Sequence, residues 1–161
     1  KMDTEKQNNA GKPIKRHVSL VPLSRDHHHT LLLCWKIKTG ITRGISTHRI
    51  KEYASYFYTG FIMPHFTIEE RYIFPLAGES HPMVEQALKE HALIRELFRT
   101  ISDDADHLTK IAMAIEKHVR FEERELFPEI EKIAGQEKLL SLELQHDRVH
   151  EEKWRDQFWL K

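Results

Sequence analysis

"HFTIEERYIFP" at residues 65–75 and "HVRFEERELFP" at residues 118–128 carry His, Glu, Glu, Arg, Phe and Pro in the same slots. Each copy sets a histidine four residues ahead of a glutamate, His65 before Glu69 and His118 before Glu122. Side chains four apart stack on one face of an α-helix, so each copy can aim an imidazole and a carboxylate at one point. A helical core that takes in two of each must pair them or neutralise them with a cation, because unpaired buried charge is costly. The next glutamates, Glu70 and Glu123, are turned by about 100° and are expected to face solvent or an adjacent helix.

Helical periodicity surrounds both copies. One pattern runs from a cap at Ser24 to about Thr39 and breaks at Gly40. A second runs from about Ser46 to Pro75, with Gly60 and Pro64 as sites of a kink. In the third, Ser80 can cap and Pro82 suits the first turn, ahead of "MVEQALKEHALIRELFRTI". The fourth follows "SDD" at 102–104, bends at Pro128 and stops at Gly135. No segment alternates as a strand does. The expected fold is all-α: an up-down-up-down antiparallel four-helix bundle with an extra C-terminal helix from residue 136 onward. Residues 1–19 are expected to be a flexible polar arm, and residues 20–161 the bundle with that helix.

Composition removes several function classes. Twenty-five basic residues balance twenty-five acidic ones, so no global field attracts nucleic acid or an anionic membrane. One cysteine, Cys34, rules out an internal disulfide framework or a cysteine-based zinc site, and is expected to be a small core residue. The longest apolar run, "LLLCW" at 31–35, is far short of a membrane span, and the start lacks the apolar core of a signal peptide. A cytoplasmic location is the expectation.

Twelve histidines are the unusual feature. His91 lies on an apolar stripe with Leu88, Leu93 and Ile94 and could reach the same centre as the two clamps. In the first helix the stripe Leu23, His27, Leu31, Cys34 and Ile37 favours His27, with His28 as the alternative. His17, His29, His48, His81 and His107 read as surface or capping residues. His146 and His150 are four apart but lack a matched partner and are left out of the site. Tyr53, Tyr56, Phe57, Phe61, Phe66, Phe74 and Phe121 read as core filling, some walling off the centre. Trp154, Phe158 and Trp159 could anchor the terminal helix against the bundle or form a dimer contact.

Asp26-His27 entering helix one, "HFTIEE" at 65–70, the isolated His91 and His118 to Glu122 together resemble the hemerythrin-like, or HHE cation-binding, domains over about residues 20–134. One His-x-x-x-Glu pair is weak, but two copies plus two further histidines in helical order is specific. The resemblance implies a non-haem di-iron centre held by His27, His65, His91 and His118, with Glu69 and Glu122 bridging; manganese or zinc suits the same donors. Ferritin-like sites use more carboxylate in a Glu-x-x-His order, which has no matched pair here.

Two departures separate this chain from the oxygen carriers. They place another histidine one turn after the helix-three ligand, where Arg95 stands here, and a carboxylate five rather than four residues after the fourth-helix histidine. The resemblance therefore implies binding or sensing of oxygen, nitric oxide or iron, with a homodimer or a separate effector protein as a possible further partner and Arg95 free to steer a small anion. The alternatives are a di-iron oxidoreductase acting on peroxide, nitric oxide or ferrous iron, and a zinc-bound or metal-free helical interaction module.

Overall fold

A computed structural model of the chain describes residues 15–142 and 151–160. Their regular structure is helical and forms four rods: α1 (Val21–Thr42); α2 (Thr47–Phe57) running on through a π-helical turn into α3 (Met63–Ile68); α4 (Pro82–Arg99); and α5 (Ala105–Phe121) running on into α6 (Phe127–Leu140). Among the described residues there is no strand, and no helix is long and apolar enough to cross a membrane.

Local chemistry explains most of the boundaries. Pro82 sits in the first turn of α4, where a missing N–H costs nothing, and Pro64 and Pro128 each come just after a π-helical turn inside a rod that continues through them. Asp104 caps α5 by accepting the Asp106 N–H at 3.2 Å. At the start of α4 the cap is His81, whose Nδ1 accepts the Met83 N–H at 3.1 Å, and not Ser80, which sits at φ +57° in the turn before it. Gly135 adopts φ 75° and ψ 168°, breaking the last rod where the sequence places a stop.

Gly40 is a correction: α1 runs straight through it to Thr42 and turns at Gly44, φ +70°. A Cβ at Gly40 would lie 2.9 Å from both Ile50 Cδ1 and Phe158 Cε2, so this glycine permits a close approach and does not end the helix. Nor does the first helix begin at Ser24; it starts a turn earlier, with Pro22 in its first turn.

The chain's apolar residues gather into two cores with a polar layer between them. One core holds Leu33, Cys34, Ile37, Ile50, Tyr53, Phe57, Phe66, Ile94, Phe98, Ile111, Ile115 and Val119; the other holds Leu20, Leu23, Ile73, Phe74, Ala87, Leu126, Phe127 and Ile130. Rods one and three run from the second core to the first, and rods two and four run back, which is the up-down-up-down order. Every rod therefore passes once through the level between the cores. Burying each large apolar side chain contributes roughly 1.5–3 kcal/mol, so the cores hold the four rods in register at that level.

Both ends of the chain depart from expectation. Residues 1–14 of the expected arm lie outside the described residues, but the arm's last part is fastened: Arg16, its side chain only 6% exposed, donates to the Glu123 carbonyl at 2.6 Å and to Glu131 at 3.2 Å. The expected C-terminal helix is seen only as the stretch after Gly135 to Leu140; residues 151–160 dock without helical structure. Trp154, Phe158 and Trp159 anchor that segment: Trp154 stacks on Tyr56 at 4.8 Å, Phe158 and Trp159 are buried in the first core, and the Lys36 ammonium sits 3.9 Å from the Trp159 ring centre.

Candidate metal centre

Six polar side chains fill the level between the two cores, all at most 5% exposed: His27, His65, Glu69, His91, His118 and Glu122. His28 is exposed, so the geometry separates the two helix-one alternatives. His91 is buried on a stripe with Ala87, Ile94 and Phe98; Leu88 and Leu93, expected to flank it in the core, are exposed.

Their donor atoms form two overlapping groups. His27, His65, Glu69 and Glu122 offer one set of atoms lying within 4.8 Å of one another; Glu69, His91, His118 and Glu122 offer the other. The Nε2 atoms of His27 and His65 are 3.1 Å apart, as are those of His91 and His118. His91 Nε2 and His65 Nε2 each lie 3.2 Å from Glu69 Oε1, and His118 Nε2 is 2.6 Å from Glu122 Oε1. Four imidazole nitrogens thus face two carboxylates that belong to both groups.

A π-helical turn starts at each glutamate, Glu69–Ile73 and Glu122–Leu126. In each, the N–H five residues on bonds back to the glutamate carbonyl, Phe74 to Glu69 and Phe127 to Glu122. Such turns reset the register of the following helix and are frequent at functional sites.

Outside the inner donors stand four carboxylates. Asp26 Oδ2 is 2.9 Å from His65 Nδ1, Glu70 Oε2 is 2.6 Å from His91 Nδ1, Glu90 Oε1 is 2.8 Å from His118 Nδ1, and Glu123 Oε2 is 3.7 Å from His27 Nδ1. Each accepts or faces the Nδ1 side and leaves Nε2 pointing inward. Glu70 and Glu123 do face adjacent helices, as their rotation predicts, yet what they meet there is a site histidine. The signal in the sequence was the second Glu of each "EE", together with Asp26 and Glu90 just before the two isolated histidines. Arg95 does not enter the centre: it pairs with Glu70 at 2.8 Å and its side chain is 41% exposed.

Aromatic rings close the ends of the layer. Phe66 stacks on His91 at 3.7 Å, and Phe127 stacks on His27 at 5.4 Å. Phe127, shared by both repeats as their penultimate residue, was not singled out among the expected walls. A small cavity, with room for about one water-sized molecule, opens beside the layer between His27, His65, Phe66, Ile94, His118 and Val119.

The electrostatics are those of a buried cluster whose carboxylates and imidazoles act strongly on one another. All four carboxylate oxygens of Glu69 and Glu122 are buried and without a hydrogen bond, as is Nδ1 of His27. Burial first, then the neighbouring Glu122 charge, pushes the Glu69 carboxyl up to about 8. Burial also presses on Glu122, but the charge of His118 and contacts with Glu69 and His27 outweigh it and hold this carboxyl well below the ordinary range. For His118, burial lowers the pKa and the Glu122 and Glu90 carboxylates more than reverse it, lifting it to about 10. His27 and His91 are raised in the same manner by their own carboxylate neighbours.

Comparison with known proteins gives one family. The description "Hemerythrin HHE cation binding domain" matches residues 21–130, which span all four rods and every residue of the polar layer. No curated protein and no solved structure matches the chain.

Proposed function

Since the chain belongs to the hemerythrin HHE cation-binding family, we propose that its polar layer holds two metal ions, iron in the first instance, and binds a small ligand there. His27 and His65 would serve one ion and His91 and His118 the other, with Glu69 and Glu122 shared between them. One observation carries this reading: four carboxylate oxygens lie buried between inward-facing imidazole nitrogens with no hydrogen bond to satisfy them. In the metal-free layer the carboxylates are offset by protons held on Glu69 and His118, whereas a pair of cations matches both carboxylates directly. Imidazole with carboxylate suits iron, manganese and zinc alike.

Bound iron supplies a redox-active Lewis acid able to polarise and exchange electrons with a small ligand. The chain's own part is positional. Outer carboxylates hold the imidazoles, Phe66 and Phe127 restrict water, and the cavity beside the layer leaves a small space next to His27, His65 and His118. In the slot where the oxygen carriers have a histidine, Arg95 turns away to Glu70, so four histidines and not five serve the pair of ions.

The test is anaerobic loading with ferrous iron, removal of unbound metal, and measurement of iron per chain and the visible spectrum before and after air. Two irons per chain and a new absorption on exposure to air support the proposal. Reversal under vacuum would mark a carrier or sensor, and steady oxygen consumption an enzyme. Absence of retained iron overturns it, and zinc retained in its place hands the site to the structural reading.

A further inference from the structure

The repeated segment is half of a larger approximate symmetry. Exchanging Asp26-His27 with Glu90-His91, and residues 65–75 with 118–128, carries one donor group onto the other and swaps Glu69 with Glu122. The surroundings follow the same exchange. Glu70 contacts His91 as Glu123 faces His27, and Phe74 leans on His91 at 5.4 Å as Phe127 leans on His27 at 5.4 Å. Even the outer cations correspond, Arg95 on Glu70 at 2.8 Å and Arg16 on Glu123 at 3.3 Å.

Followed round the bundle, the four outer contacts close on themselves. Asp26 of rod one holds His65 of rod two; Glu70 of rod two holds His91 of rod three; Glu90 of rod three holds His118 of rod four; Glu123 of rod four faces His27 of rod one. Each of these carboxylates stands next in sequence to an inner donor of its own rod. The last link is the longest, and the atom it faces, His27 Nδ1, is the one imidazole nitrogen of the layer left buried without a partner.

We propose that Asp26, Glu70, Glu90 and Glu123 are positioning residues forming a closed ring, and that the ring divides by metal position. Asp26 and Glu123 set the affinity of the His27 and His65 position; Glu70 and Glu90 set that of the His91 and His118 position. The physical reason is that an imidazole can turn about its side-chain bonds and carry its proton on either nitrogen. A carboxylate on Nδ1 fixes both choices, leaving the Nε2 lone pair directed inward and more basic. Because the ring passes from rod to rod, the position of each ring depends on a neighbouring rod being in register.

This inference rests on the metal-binding reading above, and zinc serves as its probe because it is diamagnetic. Zinc affinities would be measured against a competing chelator, and histidine nitrogen signals by NMR, for wild type and for Asp26→Ala, Glu70→Ala, Glu90→Ala and Glu123→Ala. Wild type should take two zinc ions per chain, with all four site imidazoles retaining Nδ1–H. Asp26→Ala and Glu123→Ala should each weaken one zinc step by about 10- to 100-fold and disturb the His27 and His65 signals only. Glu70→Ala and Glu90→Ala should do the same for the other step and for His91 and His118. The Gln forms (Asn at 26) keep an acceptor, so they should recover part of the loss and stand in for any alanine variant that fails to fold. Unchanged affinities in all four variants, or both steps weakened alike by each one, overturn the ring while leaving the metal reading intact. A wild type that takes up neither zinc nor iron overturns both.

Discussion

Metal uptake should expel protons, and its affinity should climb steeply with pH. In the metal-free protein, Glu69 is pushed up to about 8 by burial and the Glu122 charge, and His118 is lifted to about 10 by Glu122 and Glu90 against the effect of burial. At pH 7 both carry a proton that a coordinating atom must give up. One pKa unit corresponds to about 1.4 kcal/mol, so the penalty at pH 7 is about 1 kcal/mol for Glu69 and about 4 kcal/mol for His118. Together they hold affinity about four decades below its high-pH value. The logarithm of the affinity should rise by about two per pH unit up to pH 8 and by about one from there to 10, with His27 and His91 steepening the lower part. The metal-free fold responds in the opposite sense. A folded-state pKa above the unfolded value means the folded chain binds more protons, so stability falls as pH rises, from about 4.5 to 8 for Glu69 and from about 6.5 to 10 for His118. Zinc titration calorimetry in buffers of different ionisation heat counts the protons directly. An affinity independent of pH, with no proton released, would refute the reasoning.

Three more outcomes follow from the same geometry. Replacing Glu69→Gln and Glu122→Gln together should abolish most metal retention while the helical circular dichroism persists, because both carboxylates belong to both donor groups and neither packs in the two cores. Full metal content in that double variant would contradict the shared-carboxylate assignment. Gly40→Ala should destabilise the chain to urea despite the roughly 1 kcal/mol that alanine gains in a helix, since crowding Ile50 and Phe158 costs about 1–3 kcal/mol; a more stable variant would remove the argument for close approach. Cys34 should resist iodoacetamide in the native protein and react once denatured, because burial and Glu116 push its thiol up to about 12 and only the thiolate attacks. Rapid labelling of the native chain would show that the first core opens far more readily than its packing implies.

Much of the site was legible because a helix converts spacing into direction. Four-residue spacing put His65 with Glu69 and His118 with Glu122 on common faces, and in the structure all four are buried at one level. His91 lies buried in the layer, but its stripe is Ala87, Ile94 and Phe98, and the leucines that drew attention to it are exposed. Gly40 was misread because a glycine inside a helical pattern looks the same whether it ends the helix or makes room for Phe158, a residue 118 positions away that no local rule could bring near. Residues 151–160 were expected to be helical because propensity describes the chain in isolation, whereas contacts with Lys36, Tyr53 and Arg49 hold them against the bundle without helical structure. His146 and His150 lie outside the described residues.

By itself the sequence determined four helical rods, their alternating direction, and that His65 with Glu69 and His118 with Glu122 share helix faces. These are consequences of periodicity and of short connections, and both are local properties. Only the tertiary structure decided that His27 and not His28 faces inward, that Arg95 turns away to Glu70, and that each outer carboxylate serves or faces a histidine on the next rod. Those choices depend on how far one rod is rotated and slid against another. That is set by packing across the two cores and by the π-helical turns beginning at Glu69 and Glu122, and no single helix contains the information.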